Sequence, residues 1–402
     1  MEQRQIANRI YYFAYILALF NAVMVRSFFA SHFGKFISIN YLIVWGLIGL
    51  REFVLLCKKQ YHKYTWVMLL LAAALALLVI KNQTPAAAIE FATIIPLAYS
   101  ARNLEFRTLA KITAIVETCL LVFVIACALF GVIENYRIGT YDIYGIESTS
   151  RVRCYLGFLG PLFPLTFYLN IEMMIVYLTK GKLRAWHAIM LLAGACAIFL
   201  ATEGRLCFLL SVATVIFGWG YSLWCRLGRA TIPEGSKAEQ IWLGIATIFF
   251  PVMLVFSVAV SYFYNGEIGL LAKINSLLES RLRLAHDGFT SFGVSLLGNR
   301  IEMFGQGLST TGQVRTAGYN WVDNAWMNIL FRYGILFTGA VCALYSRLMY
   351  ALARKRDYFT IVLFLLIGMQ MLIDDCNLMY YWNGLLLMLA MYSFGGNDVS
   401  KD

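Results

Sequence analysis

The feature that most constrains this chain is a series of long apolar runs that recurs from one end of the sequence to the other. A helix needs about 20 mainly apolar residues to cross a bilayer core, and runs of this length predict a polytopic membrane protein. Hydrophobic residues make up 60% of the chain and charged residues only 14%, which excludes an ordinary soluble domain. Membrane β-barrels show short alternating segments instead. The sequence therefore predicts an all-α integral membrane protein.

We expect about twelve transmembrane helices. The fourth is the least regular, because Glu90 and Pro96 interrupt it. The first apolar run continues into a polar loop without a small-residue cleavage site, so we interpret it as a retained span rather than a leader. The approximate limits of the twelve spans are 9–26, 37–57, 65–80, 86–101, 109–133, 155–178, 185–202, 205–225, 240–263, 324–346, 357–374 and 377–395.

These spans divide the chain into three regions. Residues 1–263 carry helices one to nine, residues 264–323 form a long outer loop, and residues 324–402 carry helices ten to twelve and a short cytoplasmic tail. Between Leu270 and Ala285, apolar residues recur at a nearly helical spacing, which predicts an amphipathic helix lying on the membrane surface with its apolar face down. The Gly-rich stretch 298–325 after it predicts a mobile flap.

The distribution of charged residues predicts the orientation of the chain in the membrane and excludes some classes of function. If the N terminus is cytoplasmic, most Lys and Arg residues of the short connections fall on the cytoplasmic side, as the positive-inside rule requires. Both termini are therefore predicted to be cytoplasmic. The net charge of +11 mostly reflects this bias, so we expect no nucleic-acid partner. The nine cysteines lie almost all within apolar runs and the four histidines are scattered, so no metal site is expected.

Arginines on the outer side run against this bias and are candidate functional residues. Arg205 sits in a short turn between two apolar runs, at a depth where charge is costly; the alternative is a snorkelling side chain paired with Glu203. Arg153 precedes the sixth span, where a positive residue is common. Arg281 and Arg283 are two apart on the predicted loop helix, so only one should face a ligand. Guanidinium groups bind phosphates without a metal, and this set suits a lipid-linked pyrophosphate.

A second set of candidates surrounds the segment from Asp323-Asn324 to Gly334, where a polar loop meets the tenth span. At such an entry a membrane enzyme can hold an ionisable group like Asp323 without burying it in lipid. Asp323 is also suited to cap the helix, because Asp is a favoured N-cap residue. Arg332 lies well inside this span, so its side chain should face the protein interior and pair with an acid or a phosphate.

The end of the eleventh span supplies further polar groups. Asp374 and Asp375 lie there on the outer side, where they would either orient hydroxyl groups of a ligand or simply be solvated. Tyr380, Tyr381 and Trp382 follow. An aromatic cluster at this level predicts an interfacial belt rather than a platform for sugars.

In layout, nearly the whole chain resembles the Wzy-type polysaccharide polymerases of bacterial capsule, exopolysaccharide and O-antigen assembly, and more distantly the O-antigen ligases. The resemblance rests on the order and spacing of four short motifs: R-x-x-LGF from Arg153 to Phe158, the turn with Arg205, NSLLESRL and GYNWVDNAWMNILFRYGILF. The ligases have His-Asn, nine residues and Gly-x-x-Gly at the last motif, and their His is regarded as catalytic. Here Asp323 replaces the His and Phe337 the second Gly, which favours a polymerase.

The resemblance implies a GT-C-like glycosyltransferase architecture in the bacterial cytoplasmic membrane, with the active site on the outer face. It implies metal-independent, inverting transfer of a glycan from undecaprenyl pyrophosphate to a lipid-linked repeat unit, without a cofactor. The implied partners are these lipid-linked donors and acceptors, membrane lipids, a flippase and a chain-length regulator. On this interpretation Asp323, Arg205 and Arg281 are catalytic: the two arginines stabilise the leaving pyrophosphate, and Asp323 acts as the general base or only caps the tenth span. The residues that would bind pyrophosphate or glycan are Arg153, Arg283, Arg332, Asn324, Asp374, Asp375 and Tyr319.

Three alternatives stay open. A flippase or other transporter predicts ionisable residues at the midplane and internal symmetry, and the sequence shows few charges in the first half and no repeat. A ligase is disfavoured by the missing His and second Gly. A membrane acyltransferase lacks a supporting His-Asp arrangement.

Overall fold

The computed structural model of the chain describes residues 2–57, 63–141, 147–228, 235–305, 307–313 and 319–394. These residues form a helical bundle with one antiparallel β-hairpin. The predicted tail beyond residue 394, and residues 306 and 314–318 of the predicted flap, lie outside the described residues. The elements are α1 (Glu2–Val25), α2 (Ala30–Cys57), α3 (Lys63–Asn82), α4 (Pro85–Ala101), α5 (Phe106–Leu129), β1 (Arg137–Tyr141), β2 (Glu147–Cys154), α6 (Phe163–Leu178), α7 (Ala185–Thr202), α8 (Arg205–Arg226), α9 (Lys237–Tyr262), α10 (Gly269–Leu277), α11 (Arg281–Ser291), α12 (Ala325–Arg354), α13 (Tyr358–Met371) and α14 (Met388–Phe394).

Within these ranges, eight helices are long and apolar enough to cross a membrane, namely α1, α2, α3, α5, α7, α8, α9 and α12. Three shorter apolar helices, α4, α6 and α13, lie among them. Large apolar side chains such as Leu42, Leu70 and Val122 are more than half exposed on the outside of the bundle, as expected for helices that face lipid. The coarse prediction of an all-α, multi-pass membrane protein is thereby supported.

Three predicted spans differ in the structure: the sixth, the twelfth, and the tenth, which is broken at Gly334. The sixth, predicted at 155–178, is helical only from Phe163, because Leu156 and Gly157 adopt positive φ angles of 49° and 82° directly after β2. The twelfth, predicted at 377–395, is not one continuous helix. It consists of two 3-10 turns, Cys376–Leu378 and Gly384–Leu387, followed by α14.

Asparagine side chains account for the irregular start of this last segment. Asn383 donates its amide to the carbonyl of Asn377 at 3.1 Å, and Gly384 N–H donates to the side chain of Asn170 in α6 at 2.8 Å. Such side chains offer the backbone alternatives to helical hydrogen bonds. The segment is consequently tied to the interior of the bundle.

The predicted loop helix is two helices rather than one. Glu279 and Ser280 separate α10 from α11 with φ angles of 51° and 67°, and the side chain of Asn275 accepts a bond from the backbone of Arg283 at 3.0 Å. The apolar side of α11 is buried against protein, where Gly288 meets the ring of Phe331. The prediction that this apolar face lies on the membrane surface is therefore wrong for α11.

Helix α12 is broken at Gly334, which has φ 82° and ψ −179°. A Cβ at this position would lie 2.3 Å from the backbone nitrogen of Gly298, so only glycine fits. The backbone groups freed by the break are satisfied by the loop between α11 and α12, because Ile335 and Leu336 donate to the carbonyls of Ser295 and Leu296 at 3.0 and 3.2 Å.

The break divides α12 into two parts with different surroundings. Residues 325–333 are all buried, whereas Ile335 and Leu336 are 48% and 59% exposed. Residues 335–354 have a length of about 30 Å at a rise of 1.5 Å per residue, which matches a bilayer core. The part before Gly334 therefore serves to hold side chains inside the protein.

Several connections meet at one face of the bundle, which we call the cavity face. Leu159, before α6, donates its N–H to the carbonyl of Arg26 after α1 at 2.8 Å and accepts a bond from Leu308, between α11 and α12, at 2.8 Å. Asn82, at the end of α3, donates to the carbonyl of Leu297 at 2.7 Å. These bonds fix the loops around a common opening.

Candidate functional site

A cavity of about 1170 Å³ lies beneath these loops. Its walls come from α3, α4 and α12, from β2, and from the segments before α6, α11 and α14. One end is polar and carries four arginines, Arg26, Arg153, Arg281 and Arg332. A space of this size accommodates a ligand with several sugar rings or a large head group.

The other end of the cavity is an apolar arm between α3, α4 and α12. Leu75, Ile95, Phe337 and Val341 contribute to its lining. Along α4 the cavity wall extends from Thr84 to Tyr99, which is roughly 22 Å at 1.5 Å per residue. The cavity thus joins a charged compartment to a long apolar one.

Arg281 and Asp323 are brought together in the polar compartment. Arg281 is the first residue of α11, and its Nε lies 3.6 Å from Oδ2 of Asp323, with side-chain exposures of 18% and 15%. Arg281 also donates to the carbonyl of Ile373, and Tyr319 donates its hydroxyl to Oδ2 of Asp323 at 2.7 Å. We call Arg281, Asp323 and Tyr319 the Asp323 group.

Burial and the neighbouring charges shift the pKa values of the residues in the Asp323 group. Burial raises the pKa of Asp323 above its usual value, and Arg281 and the Tyr319 hydrogen bond oppose that rise. Burial and the adjacent carboxylate raise the pKa of Tyr319 well above its usual value, so the phenol keeps its proton. Although burial disfavours the charge of Arg281, Asp323 and Asp374 raise its pKa. The group therefore offers a permanent cation beside a carboxylate that accepts protons more readily than an exposed Asp.

Asn324, and not Asp323, caps α12. The side chain of Asn324 accepts a bond from Met327 N–H at 3.1 Å. Its amide donates to Ser257 and to the carbonyl of Leu372 at 3.2 and 2.9 Å. Asn324 is outside the cavity lining, so its contacts are those of a residue that positions α12. Asp323 is left free of the capping role.

A second network is centred on Asp375. Its Oδ2 accepts bonds from Trp321 Nε1 at 3.2 Å and from Asn328 Nδ2 at 3.0 Å. Arg332 donates to Asn328 Oδ1 at 3.1 Å, and its guanidinium lies 5.1 Å from the centre of the Trp321 ring. Arg332 is buried in the first part of α12 and lines the cavity. The two side chains that hold it, Asn328 and Trp321, are both uncharged.

Asp374 and Asp375 are adjacent carboxylates in the cavity wall. Burial and the neighbouring Asp374 raise the pKa of Asp375 well above its usual value. Asp374 is buried and accepts a bond from Cys376 N–H at 2.9 Å. The cavity lining therefore includes three buried or largely buried aspartates together with four arginines, and two further carboxylates in the lining, Glu279 and Glu302, are exposed.

Among the described residues, one group has the spacing to hold a metal ion. Asp374, Asp375 and Cys376 each place a ligand atom within 4.8 Å of the others. Burial and the two carboxylates raise the pKa of the Cys376 thiol well above its usual value, which disfavours the thiolate that binds metals. The group suits a hydrogen-bonding role better than a soft-metal site.

Arg153 is buried in β2 and lines the cavity. Arg205 and Arg283 do not line it. Arg205 is exposed at the first residue of α8. Arg283 lies on another side of α11, with its Nε 3.8 Å from Asp287. Of the ten residues named from the sequence, the structure brings seven to the cavity: Arg153, Arg281, Tyr319, Asp323, Arg332, Asp374 and Asp375.

Sequence reasoning missed the fourth arginine of the cavity. Arg26 follows α1 and donates to Glu90 of α4 at 2.5 Å and to the Tyr381 hydroxyl at 3.0 Å. Tyr381 in turn donates to Glu90 at 2.7 Å. The sequence shows an acid, Glu90, inside the fourth apolar run and an arginine, Arg26, at the end of the first. Nothing in the sequence indicates that these two residues are in contact.

The aromatic residues beside this pair are interior. Tyr380 and Tyr381 are fully buried and Trp382 is 9% exposed in the cavity wall. The prediction of an interfacial belt is therefore wrong for these three residues. Their burial follows from the irregular segment before α14, which carries them into the bundle.

Comparisons of the chain with protein-family models, with curated proteins and with solved structures find no match.

Proposed function

We propose that this protein is a Wzy-type polymerase, which joins lipid-linked oligosaccharide repeat units at the outer face of the bacterial cytoplasmic membrane. The observation that carries the proposal is the two-part cavity, with four arginines at one end and an apolar arm at the other. Its shape and chemistry suit an amphiphile whose polyprenyl chain lies among α3, α4 and α12 and whose pyrophosphate lies near the arginines. The order of the sequence motifs supports the same class.

In the proposed reaction, a sugar hydroxyl of the acceptor attacks the anomeric carbon of the donor glycan. The new C–O bond forms as the bond from the anomeric carbon to the pyrophosphate oxygen breaks, and the electron pair leaves with the lipid pyrophosphate. Arg281, with Arg153 and Arg332, would stabilise the negative charge that develops on this leaving group. Asp323 would accept the hydroxyl proton, and its raised pKa brings it closer to the pH at which a general base is effective.

Reconstitution tests the proposal directly. The purified full-length protein would be placed in liposomes with undecaprenyl-pyrophosphate-linked repeat units, isolated from cells in which the gene has been deleted. We expect a ladder of glycans that lengthens with time and is absent with Arg281→Ala protein. Wild-type protein that binds these lipids but makes no ladder would contradict the proposal. Transfer of finished glycan to a different acceptor, without a ladder, would indicate a ligase.

A transporter is the second candidate, because two carboxylates are buried inside apolar helices. Glu117 of α5 accepts a bond from Asn170 at 2.8 Å, and Glu172 of α6 accepts one from Ser211. Buried acids within spans are typical of proton-coupled carriers. A flippase would move a labelled lipid-linked sugar across the liposome membrane in response to a pH gradient, and Glu117→Gln or Glu172→Gln would abolish this movement. A polymerase would lengthen glycans without any gradient.

A further inference from the structure

A second cluster, at the cavity wall, is separate from the groups around Asp323 and Asp375. It consists of Arg26, Glu90, Phe163, Tyr381 and Trp382, which we call the Arg26 cluster. The guanidinium carbon of Arg26 lies 5.4 to 6.0 Å from the ring centres of Trp382, Tyr381 and Phe163. The rings of Phe163 and Trp382 are 5.2 Å apart with planes tilted by 37°.

The position of Arg26 is fixed by its surroundings. Its backbone carbonyl accepts the N–H of Leu159 at 2.8 Å, and one Nη of its side chain donates to both Glu90 and Tyr381. A guanidinium held between a carboxylate and three aromatic rings loses little freedom when it binds a ligand. The cluster is therefore preorganised.

The cluster retains donors that the described protein groups do not satisfy. Arg26 Nε and Trp382 Nε1 are both enclosed and have no hydrogen-bond acceptor within the described part of the chain. Neither atom has accessible surface of its own, but 21% of the Arg26 side chain is exposed and can meet a ligand that offers hydrogen-bond acceptors. Arg26, Phe163 and Trp382 all line the cavity.

The charge of the cluster narrows the class of ligand. Glu90 lies 2.5 Å from Arg26, closer than Asp323 lies to Arg281 at 3.6 Å, so the Arg26 pair is the less suited of the two to a pyrophosphate. A paired arginine beside aromatic rings suits a neutral sugar, whose hydroxyl oxygens accept N–H bonds and whose C–H face packs on an aromatic face. The cluster thus resembles the polar and aromatic surface that sugar rings require.

We propose that the Arg26 cluster is a glycan subsite that holds a sugar ring of the repeat unit against Trp382 and Phe163, apart from the pyrophosphate-binding arginines. This inference rests on the proposed function for the identity of the glycan, but its geometry is independent of the reaction. The subsite would position the repeat unit so that the reacting end lies at Asp323. Trp382 and Arg26 are then specificity-determining residues.

Binding of lipid-free glycan tests the subsite apart from catalysis. The probe is a set of oligosaccharides from partial acid hydrolysis of the host cell's surface polysaccharide, titrated into the full-length protein in nanodiscs. We expect Trp382→Ala to weaken oligosaccharide binding at least tenfold and Trp382→Phe to restore most of it, with inorganic pyrophosphate binding unchanged. Arg281→Ala should show the opposite pattern. Trp186→Ala, at a residue 57% exposed on α7, is the matched control and should change neither.

The outcomes separate the subsite from the proposed function. If wild-type protein forms a ladder but Trp382→Ala leaves both oligosaccharide affinity and KM unchanged, the subsite is overturned and the polymerase stands. If no ladder forms but oligosaccharides bind in a manner that needs Trp382, the subsite stands and the polymerase falls. Equal weakening of oligosaccharide and pyrophosphate binding in both Trp382→Ala and Trp382→Phe would indicate a structural role and overturn the subsite.

Discussion

Two groups of buried charges lie at opposite faces of the bundle, and they differ in what surrounds them. At the cavity face, the Asp323 group borders an open space of about 1170 Å³. At the opposite face, Glu52 of α2 accepts bonds from Arg102 at 2.7 and 3.0 Å and from Ser100 at 2.7 Å, and also contacts Arg51. We call Arg51, Glu52 and Arg102 the Glu52 group.

The Glu52 group is closed by protein. Arg51 is 1% exposed and lies 5.5 Å from the ring centre of Tyr11, while Arg102 lies 4.1 Å from that of Tyr99. None of its three charged members lines the cavity. Both groups contain buried charges, so burial alone does not identify either group as a functional site. What distinguishes the Asp323 group is that its charges face a space where a ligand can lie.

The largest effect is expected at Arg281. Arg281→Ala should lower the rate of glycan elongation about 100- to 1000-fold, the range seen when one stabilising donor is removed from a reacting oxyanion. Arg281→Lys should recover only part of the loss, because a lysine cannot reproduce the bidentate fork. The measurement is single-turnover elongation in liposomes. If a folded Arg281→Ala protein kept the wild-type rate, the cavity would have no role in the mechanism. The contrast between the two groups would then fail.

Asp323 should give the next largest effect and a defined pH dependence. Because burial raises the pKa of Asp323, the carboxyl stays protonated to a higher pH than an exposed Asp, whose usual value is 3.8. The base form exists above this raised pKa, so the rate should fall as the pH is lowered through it. Asp323→Asn should lower the rate about 100-fold or more and abolish this acidic limb.

The pH profile of the rate, measured with Asp323→Asn and Tyr319→Phe, checks this role. Tyr319→Phe removes the bond that favours the carboxylate, so its acidic limb should move to higher pH while Asp323 is still present. An acidic limb that survives in Asp323→Asn would assign the titration to another group.

At the Glu52 group we expect the opposite result: a substitution should change the stability of the protein but not its catalytic rate. Arg102→Gln should lower the free energy of unfolding by about 3 kcal/mol, because it leaves Glu52 with fewer partners in a buried site. The rate per folded molecule should stay within about twofold of wild type. Thermal unfolding in detergent, combined with elongation assays normalised to folded protein, measures both. A large fall in rate without loss of stability would show that the two faces are coupled.

Local features of the sequence predicted much of the helical architecture, because apolar runs of spanning length leave few alternatives in a bilayer. The role of Asp323 as cap or base could not be decided locally. Both Asp and Asn favour the N-cap, and the choice of Asn324 depends on its bonds to Ser257 and Leu372, which lie far away in sequence. The break at Gly334 likewise depends on the approach of Gly298.

Tertiary pairing also explains the residues that were missed. Arg26 and Glu90 are 64 positions apart, and each looks ordinary in its own segment. Only the packing of α4 against the end of α1 makes them a pair. The aromatic residues 380–382 were assigned to the membrane interface because aromatic residues are common there, whereas the bonds of Asn170 and Asn383 draw this segment inward.

The smallest effect is expected at Arg205, which shares its residue type with Arg281 but not its surroundings. Arg205 is exposed outside the cavity lining, after Glu203 turns the chain with a φ of 53°. Exposed substitutions usually change free energies by about 0.5 kcal/mol, so Arg205→Ala should leave the elongation rate within about twofold. The same single-turnover assay as for Arg281→Ala measures it. A loss as large as that of Arg281→Ala would mean that the substrate head group extends beyond the cavity to the corner between α7 and α8. That corner is close, because Gly204 packs beside Leu162, which lines the cavity.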